Sequence, residues 1–125
     1  MSSQKIFLFD FDGVIVDGMP EYWHSSLLAC EKYLNSPYIF FDPILYKRVP
    51  NTFKEIRPWV QYGWEMVLIV HEIIKKENPI ENHNKKDFIN NYHQSCQRIL
   101  KDNSWIAKDL QKILDKSREY QIDKD

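Results

Sequence analysis

The sequence predicts an α/β fold in which one buried N-terminal strand precedes a mostly helical chain. The strand is indicated by residues 5–11, because an unbroken apolar run is typical of a strand covered on both faces. The helices are indicated by apolar residues that recur every three or four positions in several segments after residue 18. A length of 125 residues suits one domain with one core.

The composition narrows the class of protein. Hydrophobic residues make up 43% of the chain and charged residues 28%, so we expect it to fold. The formal net charge of −1 argues against nucleic acid or an anionic membrane as the main partner. No apolar run approaches the length of a membrane span, and Asp10 and Asp12 interrupt the N-terminal segment where a signal peptide would need to be apolar. Cys30 and Cys96 lie far apart, and we expect both to be buried free thiols of a cytoplasmic protein.

Asp10 and Asp12 carry the clearest chemistry in the sequence. They stand two positions apart at the end of the predicted strand, and Gly13 then allows the chain to turn sharply. Alternate residues of a strand point to the same side, so both carboxylates are expected to project into one volume. Their mutual repulsion would be relieved by a hard cation such as Mg²⁺ or by a shared proton. The simpler interpretation is that both aspartates only begin a turn, which Asp and Gly favour.

The helices are predicted from periodicity, capping residues and prolines. After Asp17 and Gly18, Pro20 suits a first helical turn, and Ser36-Pro37 ends the segment that follows. Residues 38–50 are predicted to form a loop with a short helical turn. The predicted helices cover residues 20–34, 52 to the interruption at Pro58, 58–77, 87–101, and a last segment that begins at a capping Ser104.

The predicted strand poses a physical problem, because no later segment is predicted to be a second strand. The backbone polar groups on both edges of a lone strand would lack partners, and its apolar faces would lack cover. We therefore expect either that the chain is a fragment or that another polypeptide supplies the sheet. Self-association, or a complementing chain that pairs with this strand, is the corresponding prediction for partners.

Residues 9–17, Phe-Asp-Phe-Asp-Gly-Val-Ile-Val-Asp, resemble the first motif of the haloacid dehalogenase superfamily. This resemblance implies a Rossmann-type parallel sheet around the motif and a helical cap of the C1 kind after it. It divides the chain into a core strand and catalytic loop at residues 1–18, a cap at residues 19–120 and a polar tail at residues 121–125. The segment 57–66 further resembles an Arg-Pro-x₄-Gly-aromatic-Glu pattern in the caps of some relatives.

The resemblance also implies an activity, the Mg²⁺-dependent hydrolysis of a small phosphorylated metabolite. Asp10 is then the nucleophile and a metal ligand and forms an aspartyl phosphate. Asp12 is the general acid–base and binds the metal through its backbone carbonyl, while Phe11 and Gly13 contact the phosphate through backbone amides. The later motifs of the family are not recognisable, so we expect weak or no activity from these 125 residues alone.

Arg57 is the residue of the predicted cap best suited to meet a substrate anion, because a guanidinium pairs bidentately with phosphate. The alternative is a structural ion pair with an acid such as Glu65. His71 lies on an apolar helix face and is predicted to be packed in the core. The same prediction applies to a cluster of aromatic residues, Trp59, Tyr62 and Trp64.

Two other functions stay open at this point. One is a truncated or split product that works as a helical interaction module, in which Asp10 and Asp12 are vestigial. The other is a phosphomutase or phosphotransferase of the same superfamily, which the first motif does not distinguish from a hydrolase.

Overall fold

The computed structural model describes residues 19–34, 36, 43–81 and 83–124. A π-helical segment, Cys30–Leu34, continues the first helix, and short 3₁₀ segments occupy Pro43–Tyr46 and Arg57–Trp59. None of the helices in these ranges is both long enough and apolar enough to cross a bilayer. The α-helices are α1 (Met19–Ala29), α2 (Asn51–Ile56), α3 (Gly63–Ile74), α4 (Lys85–Asn90), α5 (Tyr92–Asn103) and α6 (Ala107–Lys124).

The predicted α/β fold is wrong for the part of the chain that the structure describes. Those residues form helices, and they contain neither a strand nor a parallel sheet of Rossmann type. The physical reason is that apolar residues after residue 18 recur with the helical period, so each segment buries one face of a helix. The predicted strand at residues 5–11 lies outside the described residues.

Helix α3 is the centre of the bundle. Every residue from Met66 to Val70 is buried, so this helix is apolar on all sides and needs cover on all sides. Helices α1 and α6 pack against α3 and against each other, and α2 and α5 also contact α3. The core therefore centres on three mutually packed helices, α1, α3 and α6.

The helix predicted over residues 20–34 is confirmed, with its last turn in the π form. Trp23, Leu27 and Cys30 recur at the helical period and are fully buried. Leu110 and Leu114 bury the matching face of α6. Removing a large apolar side chain from water contributes about 1.5–3 kcal/mol, so these contacts are a main source of the stability of the bundle.

The helix predicted over residues 58–77 begins later and ends earlier in the structure. Val60 is extended, and α3 begins only at Gly63. The Glu65 carboxylate accepts hydrogen bonds from the backbone N–H groups of Gln61 at 2.8 Å and Tyr62 at 3.4 Å, which holds this non-helical entry in place. At the other end Lys75 is extended, and α3 stops at Ile74, before the predicted end at residue 77.

The expected role of Ser104 as the cap of the last helix is also wrong. Ser104 lies at the C-cap of α5 in the left-handed region, with φ of 57°. Its backbone N–H bonds the carbonyl oxygens of Leu100 and Lys101, so it ends one helix and does not begin the next. Helix α6 begins at Ala107, and Ile106 just before it is 62% exposed.

Candidate functional site

The structure describes the predicted cap residue but not the predicted catalytic motif. Asp10, Phe11, Asp12 and Gly13 lie outside the described residues, and Arg57 lies within them. In the ranges that the structure describes, no group of three or more His, Cys, Asp or Glu side chains is arranged to hold a metal ion. Asp10 and Asp12 thus stay the predicted Mg²⁺ ligands, and their oxygen donors are of the type that this hard cation prefers.

Arg57 contacts α1, the helix that follows the predicted catalytic motif in the sequence. Its Cζ lies 5.0 Å from the centroid of the Tyr22 ring, close enough for a cation–π contact. Tyr22 is in the first turn of α1, which starts only seven positions after Asp12. The Cζ of Arg118, on α6, lies 5.7 Å from the same ring centroid, and its guanidinium pairs with Glu21 at 3.5 Å. Two guanidinium groups therefore meet at one ring.

The ion pair that was considered between Arg57 and Glu65 is not formed. Glu65 is bound instead by two backbone N–H groups and by the hydroxyl of Tyr92. No carboxylate of the described ranges pairs with Arg57, and its Nε is buried without a hydrogen-bond partner. A buried donor without an acceptor costs about 1–3 kcal/mol, so an anion that reached this nitrogen would recover that free energy.

All three aromatic residues near Arg57 were predicted to lie in the core, and for two of them this prediction is wrong. The side chain of Trp59 is 47% exposed and that of Tyr62 is 60% exposed, while Trp64 packs against the core. The 3₁₀ segment and the extended link after it turn Trp59 and Tyr62 outward, because residues there do not follow the helical period. The result is an exposed aromatic surface next to Arg57 in the chain.

His71 is buried as predicted, but both of its ring nitrogens have polar partners. Nδ1 lies 3.1 Å from Oε2 of Glu72, and Nε2 lies 3.0 Å from the hydroxyl oxygen of Ser36. Lys75 donates a hydrogen bond of 2.7 Å to Oε1 of the same Glu72. The sequence reasoning missed this chain of contacts. The spacing of Glu72 and Lys75 is a recognisable helical ion pair, but nothing local places Ser36 beside His71.

The contacts of Glu72 with His71 and Lys75 favour the ionised form of its carboxyl group. Burial raises the pKa of this carboxyl, but hydrogen bonds from His71 and Lys75 outweigh burial and hold the pKa below its ordinary value of 4.5. His71 and Glu72 also form part of the wall of a cavity of about 720 Å³ between the end of α3 and α5. The same cavity is lined by Asn78, Arg98 and Asn103, whose side chains carry hydrogen-bond donors.

The two cysteines are free and buried, as predicted. Cys30 Sγ donates to the carbonyl of Val67 over 3.6 Å. Burial raises the pKa of Cys30, and burial also raises the pKa of Cys96 to about 12. Since the thiolate is the reactive form, neither thiol is suited to nucleophilic catalysis.

The chain was also compared with known proteins. No family model, curated protein or solved structure matches this chain. The resemblance of residues 9–17 to the haloacid dehalogenase superfamily therefore stands on the motif alone.

Proposed function

We propose that the chain acts in the Mg²⁺-dependent hydrolysis of a small phosphomonoester in the cytoplasm. The observation that carries the proposal is the Asp10-Phe11-Asp12-Gly13 motif at the end of an apolar run. A carboxylate nucleophile and a second carboxyl group two positions away are the two groups that this reaction requires. The buried free cysteines suit a reducing compartment.

The proposed reaction has two steps. The Asp10 carboxylate attacks phosphorus, and the bond from phosphorus to the ester oxygen breaks as Asp12 donates a proton to the leaving alcohol. Asp12 then takes a proton from water, which attacks the aspartyl phosphate, releases phosphate and restores Asp10. The Asp10 carboxylate and the Asp12 backbone carbonyl would hold Mg²⁺, which would neutralise phosphate charge so that an anionic nucleophile could approach.

The contacts of Arg57 support a role in holding the substrate anion. Its guanidinium has no carboxylate partner in the described ranges, and its Nε is buried without an acceptor. It packs on Tyr22 in the first turn of α1, so the helix that leads away from the motif carries the ring that positions it. A phosphate or carboxylate of the substrate would supply the missing acceptor in a bidentate pair.

The transfer of a phosphoryl group to Asp10 tests the proposal directly. The chain is incubated with acetyl phosphate as a small activated phosphodonor, with and without Mg²⁺, and the modified residue is located by mass spectrometry. We expect Mg²⁺-dependent modification of Asp10 that is lost in Asp10→Asn and kept in Asp109→Asn, which changes an exposed aspartate of α6. Unmodified Asp10 under all of these conditions would overturn the proposal.

The acceptor of the phosphoryl group distinguishes a hydrolase from a phosphotransferase. With p-nitrophenyl phosphate as substrate, a hydrolase releases inorganic phosphate. A phosphotransferase passes the group from Asp10 to an added alcohol. We expect inorganic phosphate as the main product. The rate should be low, because the later motifs of the family are not recognisable in the sequence.

The role of Arg57 is tested separately. Lysine keeps the charge of arginine but loses the planar fork, so we expect Arg57→Lys to weaken the binding of a phosphate ester several-fold. Arg48→Lys, which changes an exposed arginine, is the matched control and should leave binding unchanged. Equal binding by both variants would remove Arg57 from the proposed site.

The exposed aromatic surface favours one other function, a helical interaction module. Trp59 and Tyr62 expose about half of their side chains or more, and such residues are enriched in protein interfaces. If this function holds, the chain associates in a concentration-dependent manner in analytical ultracentrifugation, and Trp59→Ser with Tyr62→Ser abolishes the association. A chain that stays monomeric in both forms excludes self-association through this surface.

A further inference from the structure

Two neighbouring cavities lie between the end of α3 and α5. The larger cavity has a volume of about 720 Å³, which is in the range of small-molecule sites. The smaller cavity has a volume of about 240 Å³. Both are lined by the same five residues, Glu72, Lys75, Asn78, Arg98 and Ile99, so the two cavities share a wall.

The part of this wall that follows α3 is held in place by hydrogen bonds. The backbone of Asn78 is left-handed, with φ of 53°, and the buried Ile80 donates its backbone N–H to the carbonyl oxygen of Glu72 at 2.9 Å. The chain is thereby folded back onto the end of α3. Nδ2 of Asn84 donates a further bond of 3.0 Å to the carbonyl oxygen of Pro79. The wall is therefore formed before a ligand arrives, as is usual for small-molecule sites.

The buried part of the lining contains a charge that is already compensated. The side chain of Glu72 is only 8% exposed, and its Oε1 accepts a hydrogen bond of 2.7 Å from Lys75. Its Oε2 lies 3.1 Å from Nδ1 of His71. Because the charges of Glu72 and Lys75 cancel, this pair gives the lining polarity but no net charge.

Four further charged side chains line the larger cavity, two of each sign. They are Lys76, Glu77, Arg98 and Asp102. None of the four has an ion-pair partner in the described ranges. Arg98 and Asp102 stand one helical turn apart on α5, a spacing at which opposite charges commonly pair, and yet they do not pair.

This balance of charge selects the class of ligand. A ligand with charge of one sign would be attracted by two of these side chains and repelled by the other two. A ligand that carries both signs finds an opposite charge for each of its ends. The ends also differ in what they require, since a guanidinium donates hydrogen bonds in a planar fork that suits a carboxylate, and an ionised aspartate only accepts them.

We propose that the larger cavity binds a small zwitterion of the α-amino acid type, with its carboxylate on Arg98 and its ammonium group on Asp102. Arg98 lines both cavities, whereas Asp102 lines the larger one. The charged part of the ligand therefore lies in the larger cavity. The smaller cavity, which Ile80 and Phe88 help to line, is the space available for the rest of the ligand.

This site is separate from the proposed phosphate chemistry. None of its lining residues belongs to the Asp10 motif, and binding requires neither Mg²⁺ nor a phosphoryl donor. Modification of Asp10 and binding of an amino acid are measured in different experiments, so the failure of either proposal leaves the other intact.

Thermal unfolding of the purified chain tests for the ligand. Each of the standard amino acids is added in turn, at millimolar concentration and without Mg²⁺, because a ligand that binds only the folded chain raises its Tm. We expect at least one free amino acid to raise the Tm. Its N-acetyl derivative and its amide, which each lack one of the two charges, should not. Water alone fills the cavity if no amino acid raises the Tm, and an equal shift with either derivative means that the ligand need not be a zwitterion; both results would overturn the proposal.

Variants of the two charged residues test the location of the site. Arg98→Gln and Asp102→Asn each remove one charge from an exposed side chain, so the bundle should still fold. We expect each to weaken the binding of that amino acid about tenfold or more in isothermal titration calorimetry, because a hydrogen bond between charged groups is lost. Arg48→Gln and Asp109→Asn, at exposed positions outside both cavities, are the matched controls and should bind as the wild type does. Unchanged affinity in Arg98→Gln and Asp102→Asn would place the ligand elsewhere and refute the assignment.

Discussion

The hydroxyl of Tyr92 donates a hydrogen bond of 2.8 Å to Oε1 of Glu65, which joins the first turn of α5 to the first turn of α3. Both side chains are buried, and Oε1 of Glu65 also accepts from the backbone N–H of Gln61 and Tyr62. Burial and the neighbouring carboxylate raise the pKa of Tyr92, so the phenol stays a donor at neutral pH. One carboxylate oxygen thus holds both the entry to α3 and the position of α5.

Tyr92→Phe is expected to lower the free energy of unfolding by about 1–2 kcal/mol, because it removes one donor from a buried carboxylate. Glu65→Ala should cost more, about 2–4 kcal/mol, since it also frees two backbone donors at the start of α3. Urea unfolding of both variants and of the double variant measures the coupling. Strictly additive losses would show that the two side chains do not interact.

Gly63, the first residue of α3, lies against side chains of α6. A Cβ on this residue would stand 2.9 Å from Cδ2 of Leu114 and 3.1 Å from side-chain atoms of Gln111. We expect Gly63→Ala to destabilise the protein by about 1–2 kcal/mol, because overpacking outweighs the gain in helix propensity at this first position. The double variant with Leu114→Ala should be less destabilised than the sum of the single changes in thermal unfolding. A stabilised Gly63→Ala would mean that the Leu114 methyl group moves aside freely.

Glu72 should make stability depend on pH in the acid range. Its pKa is lower in the folded chain than the ordinary value of 4.5, so its contribution is complete above about pH 4.5 and is lost as the pH falls through the folded pKa. We expect the urea midpoint of the wild type to fall more steeply than that of Glu72→Gln as the pH falls below about 4.5. Glu119→Gln, at an exposed site, should follow the wild type. Parallel curves for wild type and Glu72→Gln would contradict the prediction.

Neither cysteine thiol should react with a thiol reagent while the chain is folded. Burial raises the pKa of Cys30 and brings that of Cys96 to about 12, so almost no thiolate forms at about pH 8. We expect no reaction with Ellman's reagent in buffer and the release of two equivalents in guanidinium chloride, from the two cysteines of the sequence. Rapid reaction of the native protein would show that the bundle opens at α1 or α5.

Sequence patterns predicted the helices best where burial alone determines them. The periodic positions of Trp23, Leu27 and Cys30 locate α1 correctly, because a single stripe of apolar residues must face the core. Helix α3 was located, but its limits were not. The start of α3 is held partly by the hydrogen bond from the backbone N–H of Trp64 to Oε1 of Gln111, 47 positions away, which no local pattern connects.

The candidate site residues also differ in whether a local sequence pattern or only the folded chain reveals their contacts. Asp10 and Asp12 are recognisable because their chemistry lies within three consecutive residues. Arg57 was singled out as the cap residue best suited to meet a substrate anion, which stays a prediction, and its contact with Tyr22 is tertiary. The pair of Ser36 and His71 is separated by 35 positions, so only the folded chain brings them together. One strand was predicted from the apolar run and the sheet from the family resemblance, and the helical segments after it supply no strand in the described ranges.

The packing of α1 against α6 has a consequence for biosynthesis. Glu21 and Arg118 are 97 positions apart, so at a synthesis rate of about 5–20 residues per second α1 is made roughly 5–20 s before the end of α6 that it contacts. During that interval Trp23 and Leu27 have no α6 to cover them. We therefore expect the apolar residues of α1 to wait seconds for their α6 partners during synthesis.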